Sequence, residues 1–135
     1  MNIIICIDDE NGMMFNNRRQ SRDRAVIKDI METINGNRLF INKYSEPLFK
    51  NCDTNIAVSD DFLEQADEND YCFVENVPLL PFENRINSIT VYKWNRLYPS
   101  DTKLDINPDK FGHIVSSCDF EGYSHEKITK EIYVK

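Results

Sequence analysis

Arg18, Arg19, Arg22 and Arg24 fall within seven residues of a chain whose formal charge is −7, from 23 acids against 16 bases. A guanidinium presents a planar fork of donors that matches carboxylates and phosphates bidentately. Four of them gathered against the overall charge suggest an arm that grips an anionic ligand or a nucleic-acid segment over the mouth of a pocket. The competing reading is a solvated helix start, salt-bridged to Asp23 and Asp29 as local partners.

The other reactive side chains form no familiar constellation. His113 and His125 are the only histidines. Neither stands in a zinc spacing, and His125 falls in a polar turn. No GxSxG, P-loop or GxGxxG occurs. Asp8-Asp9-Glu10 has consecutive acids, whereas a calcium loop alternates them. Cys6, Cys52, Cys72 and Cys118 include no CxxC and read as reduced, structural thiols. The expected metal set is therefore empty.

At 135 residues, with 41% hydrophobic and 29% charged residues, the chain is long enough for one domain with its own core. The acidic balance argues against general nucleic-acid binding, which needs a basic surface, and is compatible with a basic protein partner. The opening MNIIICIDDENG has no basic leader region, and no apolar stretch is long enough to span a bilayer. The expectation is a cytoplasmic protein without membrane contact.

Ile3–Ile7 is an apolar run ending in turn chemistry, which predicts a central strand covered on both faces. Met13–Arg19 reads as loop. Ser21 is the expected N-cap, with Asp23 in the first turn of a helix whose apolar face is Val26, Ile27, Ile30, Met31 and Ile34. Asn35-Gly36-Asn37 stops it. Strands are expected around Leu39–Ile41, Asn55–Ser59, Tyr71–Val74 and Ser88–Trp94. Short helical pieces are expected in Tyr44–Asn51 and Asp60–Asp70. Pro78 and Pro81 exclude a long helix between Glu75 and Asn87. Phe111–Cys118 and Lys130–Val134 are expected to close the chain as an antiparallel pair. The fold class is α/β, a mostly parallel sheet with antiparallel C-terminal strands and few short helices.

Three stretches in this order resemble dihydrofolate reductase. Ile4-Ile5-Cys6-Ile7-Asp8-Asp9-Glu10-Asn11-Gly12-Met13 is similar to that family's opening strand and substrate-covering loop. Gly36 to Ser45 is similar to its second strand and the basic–x–hydroxyl step after it. From Ile89 onward, Ser100-Asp101-Thr102, Val115-Ser116-Ser117-Cys118-Asp119-Phe120 and Ile132-Tyr133-Val134 resemble its closing loop and strands. The resemblance implies a single reductase-like domain over residues 1–135. It also implies a carboxylate on the first helix to orient substrate, for which Asp23 is the candidate and Asp29 the fallback. Tyr92 stands where the family places the hydroxyl that partners this acid. The implied ligand pocket lies between the Ile3–Ile7 and Ser88–Trp94 strands and draws on Cys6, Ile7, Met13, Arg18, Arg19, Arg22, Asp23 and Tyr92.

The middle of the chain departs from that pattern. Where the family has a glycine pair opening a helix that cradles a pyrophosphate, this chain has Glu75-Asn76, then Pro78 and Pro81. A carboxylate repels a pyrophosphate, and side chains block its approach. The stretch around residues 60–87 is thus expected to be an altered cofactor region, with NADPH disfavoured. Lys43 and Ser45 are all that remains to touch a phosphate, and such a pair is also an ordinary polar turn. The expected function is a non-catalytic or repurposed reductase-like protein that binds a small anionic or nucleotide-like ligand, or a protein. The rivals are an active, divergent NADPH-dependent reductase of a pterin-like substrate, and an acidic interaction or inhibitor protein of a mobile element.

Overall fold

The computed structural model describes residues 1–52 and 55–135. Its centre is a seven-stranded sheet, and the strands follow in chain order. They are β1 (Asn2–Ile7), β4 (Leu39–Ile41), β5 (Ile56–Val58), β6 (Tyr71–Phe73), β7 (Ser88–Lys93), β9 (His113–Phe120) and β10 (Ile128–Val134). Across the sheet they lie in the order β5-β4-β6-β1-β7-β10-β9. The first five are mutually parallel, while β10 and β9 run antiparallel to β7 and to each other. This is the expected mostly parallel sheet with an antiparallel edge.

β1 sits in the middle because its isoleucines have apolar partners on both sides. Ile3, Ile5 and Ile7 join a cluster with Met13, Met14, Leu79, Val91 and Tyr133. Ile4 faces the opposite layer, with Tyr92, Trp94, Ile128 and the helix residues Val26, Ile30 and Ile34. Those three lie on α1 (Arg24–Ile34), whose apolar stripe follows the helical period. The helix ends at Asn35, in the left-handed region at φ 46°.

The helix start differs from the expectation. Asp23, not Ser21, is the N-cap, and its side chain accepts from the Ala25 N–H. Ser21 is drawn to a distant histidine instead. Met13–Arg19 is also not loop. β2 (Gly12–Phe15) and β3 (Arg18–Arg19) form a hairpin that pairs with β8 (Thr102–Lys103) in a second, small sheet. Asn16 and Asn17 both take positive φ, the conformation of a two-residue type I′ turn.

The remaining pieces are short: α2 (Phe62–Gln65), α3 (Pro108–Phe111), and 3-10 turns at Glu46–Phe49 and Leu80–Arg85. The last replaces any long helix after β6, as the two prolines require. Among the described residues, no helix is long and apolar enough to cross a membrane.

Candidate functional site

In open, mostly parallel sheets, ligands bind beyond the carboxyl ends of the strands, where loops diverge. Here the ends of β1, β4 and β6 deliver Cys6, Ser45 and Glu75 to one region, and the β2–β3 hairpin folds Arg19 toward it. Glu75 is buried. Its carboxylate accepts from Arg19 Nε at 2.8 Å, from Arg19 Nη2 at 3.0 Å and from Ser45 Oγ at 2.7 Å. The Arg19 guanidinium also lies 4.6 Å from the centre of the Tyr44 ring, whose hydroxyl accepts from the Arg19 backbone N–H. Asn76 Oδ1 accepts from Asn42 Nδ2 at 2.8 Å beside them. The result is a closed charge-assisted network. Burial, and after it the Glu75 charge, pushes the Cys6 thiol well above its ordinary range.

Several expected site residues lie elsewhere. Ile7 and Met13 are core residues at 2% and 8% exposure, turned into the apolar cluster below the sheet. β1 and β7 are hydrogen-bonded neighbours from Asn2↔Ser88 to Ile7↔Lys93, so no pocket opens between them. Lys43 is exposed while Ser45 is fully buried, so the two do not converge on one phosphate. Arg18 is exposed on the hairpin.

The two candidate carboxylates have separate partners. Asp29, on α1, accepts from Tyr92 Oη at 2.6 Å and from Lys130 Nζ at 2.8 Å. Tyr92 is fully buried, and its hydroxyl is held protonated first by burial and then by Asp29. Asp23 is buried under the turn at residues 122–125. It accepts from the backbone N–H groups of Tyr123 at 3.0 Å and Ser124 at 2.9 Å, and His125 Nδ1 lies 2.9 Å from its Oδ2. Burial alone would raise its pKa. The hydrogen bonds from His125 and the backbone outweigh that and hold the carboxyl well below the usual carboxylate range. A side chain at Gly122 would press on this knot, since a Cβ there lies 2.5 Å from Asp23 Oδ2.

Neither Asp23 nor Asp29 serves as an ion-pair partner for the arginine cluster. Arg22 and Arg24 instead border an open groove of about 490 Å³ between the start of α1 and the 3-10 turn, whose walls include Ile27, Pro47, Leu48 and Tyr123, with Asp23, Asn51 and Ser124 as its other polar lining. Arg24 lies 4.9 Å from the centre of the exposed Tyr123 ring. Among the described residues neither Arg22 nor Arg24 forms a salt bridge. No group of three or more potential metal-ligating side chains is found among the described residues.

His125, expected in a polar turn, is 4% exposed and stacked on Trp94 at 4.6 Å between ring centres. Its partners Asp23 and Ser21 stand about a hundred residues away, so no local spacing announces them. The Arg19–Glu75 pair was missed for the same reason.

No family model and no curated protein sequence matches the chain. Its fold does have a counterpart among solved structures. Dihydrofolate reductase from Enterococcus faecalis, complexed with NADP(H) and RAB-propyl, superposes with a TM-score of 0.69. That match covers 98% of this chain and 94% of that one, at 11% sequence identity. The architecture is therefore dihydrofolate-reductase-like α/β from end to end.

Proposed function

We propose that this reductase-like scaffold works by binding a small anionic, nucleotide-like ligand, and that the groove between α1 and the 3-10 turn Glu46–Phe49 holds it. The observation that carries this reading is the Glu75 network. A pyrophosphate needs unpaired N–H donors and close approach. The turn after β6 offers instead a buried carboxylate bonded to Arg19 and Ser45, then a 3-10 turn rather than an α-helix. Those residues do not fit an NADPH pyrophosphate. Arg22 and Arg24 provide guanidinium forks, and Tyr123, Ile27 and Leu48 provide apolar and aromatic wall for a planar body. A protein partner carrying an acidic side chain would use the same donors. Action in the cytoplasm on a free ligand belongs to the same proposal.

Titration of the protein with AMP at low salt tests it. Arg22→Ala and Arg24→Ala should each weaken binding by about tenfold, the worth of a charge-assisted contact, while Lys103→Ala leaves it unchanged. Equal, small losses at all three positions would refute it.

A second reading, a divergent reductase, draws on the Asp29–Tyr92 pair, an acid on α1 bonded to a hydroxyl from β7. It requires NADPH oxidation with dihydrofolate that Asp29→Asn abolishes. No turnover by the folded wild type would end it.

A further inference from the structure

Ser21, His125 and Asp23 stand in hydrogen-bonded sequence. Ser21 Oγ lies 2.9 Å from His125 Nε2, and His125 Nδ1 lies 2.9 Å from Asp23 Oδ2. We propose that Ser21–His125–Asp23 is a nucleophilic triad that cleaves carboxylic esters whose acyl group carries a negative charge. A nucleophile bonded to a base, itself oriented by a third group, is the geometric signature of acyl transfer, whatever the fold.

The direction of each bond follows from the partners. Asp23 is ionised and can only accept, so His125 Nδ1 carries the proton. In the neutral imidazole Nε2 is then the acceptor, free to take the Ser21 proton. The ring has little freedom to turn. Trp94 stacks on one face, and Asp23 is anchored by the backbone N–H groups of Ala25, Tyr123 and Ser124. Tyr98 Oη is a second, longer neighbour of Nε2 at 3.2 Å. Ser21 itself is half-buried.

Ser21 stands in the chain between Gln20, which lines one open groove, and Arg22, which lines another with Asp23 and Arg24. In the reaction Ser21 Oγ attacks the ester carbonyl carbon, a C–O bond forms, and the proton passes to His125 Nε2. Collapse breaks the bond to the alcohol oxygen, which leaves with that proton. Water then attacks the acyl-serine, giving a proton to Nε2; the acyl C–Oγ bond breaks, Ser21 Oγ takes that proton back, and the carboxylic acid is released. The guanidinium groups of Arg22 and Arg24, in the neighbouring groove, are the donors assigned to a charged acyl chain. Only this acyl preference rests on the groove reading above; the triad does not.

The test combines a covalent probe with turnover. A fluorophosphonate should add to the folded protein at one site, identified as Ser21 by peptide mass, and p-nitrophenyl hemisuccinate should be hydrolysed faster than p-nitrophenyl acetate. Ser21→Ala keeps the Asp23 cap and should keep the melting temperature, yet lose the label and at least about 10³-fold in hydrolysis. Arg22→Ala with Arg24→Ala should remove the preference for hemisuccinate while the label stays. Folded wild-type protein that is not labelled at Ser21, or a Ser21→Ala variant that still hydrolyses the ester at the wild-type rate, would overturn the proposal. AMP binding to Ser21→Ala, measured alongside, reports separately on the groove.

Discussion

The Arg19 guanidinium and the Glu75 carboxylate meet through two hydrogen bonds, at 2.8 and 3.0 Å, although 56 residues separate them in the chain. The pair joins the β2–β3 hairpin to the end of β6. Its side chains are 21% and 9% exposed, so each charge is largely withdrawn from water. Removing one partner strands the other. Glu75→Gln is expected to cost about 2 kcal/mol, and Arg19→Ala somewhat more, because it leaves the more buried charge alone. Urea unfolding of both variants checks this. Losses below about 0.5 kcal/mol would show that the pair contributes little to the fold.

Asp23 links stability to pH. Its folded pKa lies below the ordinary 3.8, so the folded state binds fewer protons than the unfolded chain in that range. The stabilisation is complete above the unfolded value and is lost as pH falls toward the folded one. Asp8 and Asp70 are held low as well, Asp8 by backbone N–H groups of Gly12, Glu10 and Tyr98 that outweigh its burial, and Asp70 by Arg38. The wild type should therefore lose stability steeply below about pH 4. Asp23→Asn should be less stable at pH 7 and show a shallower decline between pH 4 and 2. Acid titrations followed by circular dichroism measure both slopes, and parallel curves would contradict the assignment.

The thiols should separate by exposure. Cys118 is exposed on the edge strand β9, whereas Cys72 is buried and its pKa is pushed up to about 12 by that burial. Burial raises Cys6 and Cys52 too. Since the thiolate is the reactive form, a disulfide reagent at pH 8 should modify Cys118 first in the native protein, the half-buried Cys6 and Cys52 more slowly, and Cys72 only on unfolding. Rapid native modification of Cys72 would contradict the packing of β6.

Much of this architecture was legible in the sequence, and the exceptions have physical reasons. Leu39–Ile41 and Tyr71–Phe73 were readable because central parallel strands are covered on both faces and appear as short apolar runs, and Ser88–Lys93 because its β-branched and aromatic residues favour a strand. The β2–β3 hairpin was misread because its strands have four and two residues. Asn16-Asn17 was a usable turn signal there. Two capping residues, Ser21 and Asp23, compete at the start of α1. Asp23 takes the cap because the turn at residues 122–125 also supplies it with donors, which no local pattern can reveal. Glu75 stands out in the sequence as a charge directly after a buried strand, but its partner Arg19 becomes visible only once the hairpin is placed.

In the function proposed above, Arg22 and Arg24 hold the anionic ligand and the turn at Glu75 does not. Thermal denaturation of wild type and of the Arg22→Ala/Arg24→Ala double variant, with AMP and with NADPH in parallel, addresses it most directly. The expected result is a saturable rise in melting temperature with AMP that the double variant loses, and no NADPH response beyond what those arginines confer. A saturable NADPH shift retained by the double variant, with NADPH oxidation on adding dihydrofolate, would overturn that function in favour of a reductase.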